Sequence, residues 1–135
     1  MPRFGGIAIF AGMMISWTIF AGETPGIHGA MAGTAIIYIL GAVDDLKNIR
    51  PLVKFSGQVF AAAVAFALGL RIEFITNYFN GGNMIFGDAA CFLITILWLV
   101  AITNAVNLID GLDGLAAGIA AISALCLAYV AYIHG

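Results

Sequence analysis

Asn104 to Gly118 reads NAVNLIDGLDGLAAG, two amides and two carboxylates set into sequence that is otherwise almost wholly apolar. An Asp at the centre of a membrane helix costs roughly 2.5–3.5 kcal/mol on insertion scales, so Asp110 and Asp113 must meet water, a cation or a partner. If the segment is helical, Asn104, Asn107, Asp110 and Asp113 follow one another at i, i+3 spacing, each beside the next while the row drifts around the helix. Gly111 and Gly114 predict that the helix breaks there. Such a row of oxygens suits a hard cation carrying a phosphate substrate. The plainer alternative is a polar loop that joins two membrane helices.

The rest of the chain sets the environment of that stretch. Of 135 residues 63% are hydrophobic and only 9% charged, far below the soluble average of about 25% charged, which places the chain in the membrane class. The net charge of −2 and the lack of a basic block argue against a nucleic-acid partner. Cys91 and Cys126 lie in apolar runs and read as two buried thiols rather than a disulfide or a metal site. The N-terminal apolar run is of span length and has no signal-peptide cleavage pattern, so it reads as a retained helix.

Five runs approach the roughly 30 Å hydrocarbon thickness at about 1.5 Å per residue: 5–22, 27–43, 53–70, 87–106 and 115–133. The expectation is an all-α membrane protein, a polytopic bundle of about five transmembrane helices forming one domain over residues 1–135. The 71–88 connector alternates Ile72, Phe74 and Thr76 before Asn80-Gly81-Gly82-Asn83, which fits either a small interfacial hairpin or an irregular loop. Gly29 with Gly33, Gly114 with Gly118, and Ala8 with Gly12 have the spacing of close helix packing.

Arg3, Lys47, Arg50 and Lys54 fall on one side of such a bundle and Arg71 on the other, so the positive-inside rule makes the first side cytoplasmic. Counting spans puts Asp44 and Asp45 on that face with the Asn104–Gly114 stretch, which predicts one charged pocket. Asp44 and Asp45 stand at the negative end of the second helix, where two adjacent anions need compensation. Lys47, Arg50, a divalent metal or the start of the next helix could provide it. One carboxylate of such a pair can deprotonate or orient an attacking group while the other helps hold a metal; a solvated loop with self-neutralising charges is the plain reading. Lys54 could snorkel toward lipid phosphates or point at a bound diphosphate.

Taken in order, PRFGG (2–6), GAVDDLKNIRPLVKFSGQ (41–58) and TNAVNLIDGLDGLAAG (103–118) closely resemble the polyprenyl-phosphate N-acetylhexosamine-1-phosphate transferases. The resemblance runs across essentially the whole chain. It implies a multispan enzyme of the bacterial plasma membrane, with cytoplasmic active-site loops, that transfers a sugar 1-phosphate from a UDP-sugar to a polyprenyl phosphate. UMP is released, Mg²⁺ is required, and cell-wall or surface-polysaccharide assembly begins. The short run from Asp44 to Gln58 looks more like the branch using UDP-N-acetylglucosamine than the branch using a UDP-muramoyl peptide. By the same resemblance Asp44 and Asp45 match paired aspartates that bind or activate the lipid phosphate, with Asp44 the expected base. Lys54 matches a lysine near the phosphates. Asn107 matches an amide associated with the Mg²⁺-diphosphate, Asn104 supports it, and Asp110 and Asp113 line the nucleotide pocket.

The resemblance also has departures. Family members are usually more than twice as long, with an earlier basic, histidine-bearing motif and, later, a Gly-Asp-x-Gly-Ser motif whose Asp holds Mg²⁺, then a histidine-rich loop. The expectation is therefore a fragment, weakly active or inactive alone, since Asn107 as the one clear metal ligand would hold Mg²⁺ poorly. Whether the chain forms a homodimer stays open. Two other readings compete: an ion or proton pathway, which should put acids at mid-span or on both faces, and a structural membrane subunit, which predicts unchanged transfer when Asp44, Asp45 or Asp110 becomes Asn.

Overall fold

The computed structural model describes residues 5–77, 79, 81–110 and 114–134. Pro2, Arg3, Asn80, Gly111 and Asp113, singled out above, lie outside the described residues. The element order is α1 (Gly5–Phe20), α2 (Ile27–Lys47), α3 (Pro51–Ala67), β1 (Phe74–Asn77), β2 (Gly82–Ile85), α4 (Asp88–Ile109) and α5 (Leu115–His134). This is an all-α membrane protein carrying one small hairpin. Among the described residues, α2, α4 and α5 are long and apolar enough to cross a membrane, and α1 and α3 are shorter apolar helices. At 1.5 Å per residue, α3 with 17 residues reaches about 25 Å. The chain divides into two compact units, Met1–Val100 and Ala101–Gly135.

Helix boundaries differ from the expected spans for identifiable reasons. Helix α2 does not stop at Val43 but carries Asp44 to Lys47 in its last turn, because Asn48 ends it in the left-handed region (φ 47°). Pro51 starts α3 two residues before the expected Val53, occupying a position whose N–H has no helical partner in any case. The same helix ends at Ala67 rather than Leu70. Gly69 takes φ +95°, and the Leu70 and Gly69 N–H groups donate to the Ala65 and Phe66 carbonyls, a Schellman ending that needs a residue without a Cβ. Helix α1 stops at Phe20, and α4 runs three residues past Val106 to Ile109.

In the first unit the core is a small-residue seam between α2 and α3. A Cβ on Gly29 would collide with the Ala65 carbonyl oxygen and lie 3.1 Å from the Leu70 nitrogen, and one on Gly33 would lie 3.0 Å from the Ala65 Cβ. The expected Gly29–Gly33 packing pair is thus realised against Ala61 and Ala65, both buried. The positions 12, 114 and 118 of the other two pairs have nothing within 4 Å of such a Cβ. Helix α1 meets α2 through Phe10 stacked on Tyr38, centroids 4.2 Å apart.

The connector after α3 is fastened to α4. Thr95, 1% exposed, donates to the Cys91 carbonyl at 2.7 Å and accepts from the Ile72 N–H at 3.0 Å. Phe66 packs edge-on against Phe92, and the Arg71 guanidinium lies 4.7 Å over the Phe66 ring, a cation–π contact. Strands β1 and β2 then pair antiparallel, Phe74 opposite Ile85 and Asn77 opposite Gly82. The hairpin alternative for this connector is the one found. In the second unit α5 follows Gly114, which has φ +79°.

Candidate functional site

Asp44 is built into the α2–α3 bend. Its main-chain oxygen accepts from the Asn48 N–H at 2.8 Å, its Oδ1 accepts from the Ile49 N–H at 3.1 Å, and its Oδ2 takes the Lys54 ammonium at 2.8 Å. The compensation expected at this helix end therefore comes from Lys54, in the first turn of α3, across a connection of only three residues. Both charged groups are partly open to solvent, with side-chain exposures of 28% for Lys54 and 24% for Asp44. The arrangement also turns the negative end of α2 toward the positive start of α3, a favourable alignment of termini. Asp45, next on α2, is exposed. One turn above Lys54, Gln58 is buried in α3.

The first part of the amide-rich stretch, Asn104 to Ile109, is helical, and residues 111–113 lie outside the described residues. Asn104 and Asn107 lie in the last two turns of α4, and the Asp110 N–H donates to the Val106 carbonyl at 2.9 Å, so Asp110 keeps the helical register. Asn104, Asn107 and Asp110 are exposed, and their i, i+3 spacing makes each adjacent to the next. Asp113 lies outside the described residues. The structure thus joins Asp44 with Lys54 in one unit and sets Asn104, Asn107 and Asp110 in a row in the other.

Among the described residues no three His, Cys, Asp or Glu side chains group to hold a metal ion. The donor set at the end of α4 is small: the Asn107 amide in its last turn and the Asp110 carboxylate one residue past it. That fits Mg²⁺ only as an ion that keeps waters and shares a substrate's phosphate oxygens. Two structural positions escape a reading of the sequence. Asn48 is a polar residue in a charged run, recognisable as a left-handed cap only by its place just after the last helical turn. Thr95 is a lone hydroxyl in an apolar helix, and its polarity in such a run is the one available signal.

Comparison with known proteins adds the family. Residues 27–135 match glycosyl transferase family 4. The chain is 39% identical over 111 residues to a probable undecaprenyl-phosphate N-acetylglucosaminyl 1-phosphate transferase of Bacillus subtilis, covering 80% of this chain and 30% of that protein. It is 34% identical over 117 residues to a decaprenyl-phosphate N-acetylglucosaminephosphotransferase of Mycobacterium tuberculosis, covering 78% and 29%. An undecaprenyl-phosphate alpha-N-acetylglucosaminyl 1-phosphate transferase of Yersinia pestis is 26% identical over 109 residues, covering 80% and 30%. The chain spans about 30% of the length of these curated relatives. No solved structure matches it.

Proposed function

The chain belongs to glycosyl transferase family 4, and from that premise we propose that it serves the transfer of N-acetylglucosamine 1-phosphate from a UDP-sugar to a polyprenyl phosphate. UMP is the leaving product, and the reaction runs at the cytoplasmic face of a bacterial plasma membrane as the first step of a surface polymer. The observation that carries this reading is the Asp44–Lys54 pair with exposed Asp45 beside it, set at the end of an apolar helix where a lipid phosphate would arrive.

In this reading Lys54 neutralises the acceptor phosphate, and Asp44 holds the ammonium in place. Asp44 was the expected base, but its two carboxylate oxygens already accept from Ile49 and Lys54. Asp45, exposed one residue on, is better placed to orient the acceptor or take its last proton. A phosphate dianion attacking a diphosphate needs charge neutralisation and alignment more than a strong base. The attacking oxygen forms a bond to the sugar-bearing phosphorus as the bond to the UMP oxygen breaks. On the donor side Asn104, Asp110 and Asp113 orient the nucleotide, and Asn107 with Asp110 would hold Mg²⁺. When bound, that ion spreads the charge of the diphosphate. With Asn107 and Asp110 as the described donors for that ion, the 135 residues alone should transfer slowly, and an Mg²⁺-dependent release of UMP well above a blank would contradict that.

Two experiments test the proposal. The matched 111-residue segment of the Bacillus subtilis relative is replaced by the corresponding residues of this chain; the chimera should retain transfer to polyprenyl phosphate, and D45N should abolish most of it. Transfer unchanged in D45N would support a structural role instead. In nanodiscs, the chain should bind polyprenyl phosphate but not polyprenol, and Lys54→Met should weaken binding by about tenfold, the loss of one charge-assisted contact. Equal binding of the alcohol would refute the phosphate site.

A further inference from the structure

The β1–β2 hairpin carries none of the residues given a role in the proposed transfer, and its surface is unusual for a loop in water. A two-stranded ribbon with one wet face shows apolar side chains on the other face only. Here the Phe74–Ile85 pair lies on one face and the Ile75–Met84 pair on the other, and all four are more than half exposed. The polar pairs, Thr76–Asn83 and Asn77–Gly82, occupy the half of the ribbon next to the turn. At the turn, Phe79 is 97% exposed. The turn is held by the Asn77 side chain, which accepts from the Phe79 N–H, and by the Asn77 carbonyl, which accepts from Gly81. Phe79 is therefore presented outward by a bonded turn.

The covering partner follows from continuity with the membrane-facing helices. Asp88, where the candidate span α4 begins, comes three residues after Ile85. The bond from Ile72 to Thr95 sets the entry of the hairpin about 10 Å along α4 from that start, so the base of the ribbon lies beside the first turns of the candidate span. A ribbon with two open edges cannot enter hydrocarbon, because its outer N–H and C=O groups need polar partners. The headgroup and acyl boundary satisfies both demands, with water and headgroups for the edges and acyl chains for the side chains. Arg71, Glu73 and Asp88 flank the ribbon's base with charges suited to that layer.

We propose that the 74–85 hairpin lies in the lipid interface, with Phe74, Ile75, Met84 and Ile85 at its base and Phe79 at its turn inserted toward the acyl chains. The test places an environment-sensitive fluorophore on Phe79→Cys, and separately on Met84→Cys, in a Cys91→Ala, Cys126→Ser chain reconstituted in phosphatidylcholine vesicles. Helix content by circular dichroism selects folded samples, and Ile75→Cys substitutes for a labelled variant that fails this check. The expected result is blue-shifted emission at both sites, quenched several-fold more by lipids brominated near the glycerol end of the chain than by aqueous iodide. Emission matching the free dye in water at position 79 would overturn the proposal. So would blue-shifted emission insensitive to brominated lipid, which would mean a protein surface covers the hairpin.

Discussion

Substituting Gly29 by Ala tests the seam that holds α2 against α3. The added Cβ would collide with the Ala65 carbonyl and stand 3.0 Å from the Leu70 Cβ and 3.1 Å from its nitrogen. Two of those three atoms are main chain, inside a helix and its bonded cap, so the neighbours cannot swing aside and the helices must separate. Overpacking of this kind costs about 1–3 kcal/mol. Replacing a helical Gly by Ala also brings a propensity gain of up to about 1 kcal/mol, and Gly41→Ala, in the same helix with open space around it, carries that gain alone. The difference between the two variants isolates the packing cost and should amount to about a 5- to 160-fold shift in the separation equilibrium. The assay follows energy transfer between dyes on Leu46→Cys in α2 and Phe55→Cys in α3, both exposed, in a Cys91→Ala, Cys126→Ser background titrated with sodium dodecyl sulfate in mixed micelles. If Gly29→Ala separates at the same detergent fraction as Gly41→Ala or later, the close approach of α2 and α3 is wrong.

Thr95→Val keeps the shape but leaves the Ile72 N–H without its acceptor, and should destabilise the first unit by about 1–3 kcal/mol; Thr95→Ser should restore most of it in a detergent titration. Asn48→Val forces a β-branched residue into the left-handed region and should cost about 1–2 kcal/mol in the α2–α3 energy-transfer assay, whereas Asn48→Gly should cost nothing. Lys54→Arg should keep the ion pair with Asp44 yet lower transfer in the chimera, because a planar fork does not reproduce a compact ammonium; wild-type rates would argue against Lys54 touching the phosphate.

The helices were legible because they depend on local pattern, and apolar run length marked all five. The connector was half legible: Asn80 to Asn83 fitted a reversal, but an irregular loop fitted as well until the pairing of β1 with β2 decided it. The edges were less legible where distant residues decide them. Asp44 and Asp45 look like loop residues until Lys54, ten positions later, returns to neutralise the end of α2. Thr95 finds its partner at Ile72, 23 residues earlier, and no local pattern announces such a bond. The conditional helical reading of Asn104 to Asp113 holds for Asn104 and Asn107, which lie within α4, whereas Asp110 follows the helix and Asp113 lies outside the described residues. The family was legible through spaced motifs, which record shared chemistry more directly than periodicity does.

The bend at Asp44 has a consequence for how this position tolerates change. One residue closes the corner with its main chain, caps the next amide with one oxygen and neutralises a lysine with the other. Any replacement disturbs architecture and electrostatics together, so natural drift there meets two independent filters. Asp45, which carries no part of the corner, faces a chemical filter alone: its exchange for Asn should remove transfer while leaving the α2–α3 bend intact, whereas Asp44→Ala should disturb both.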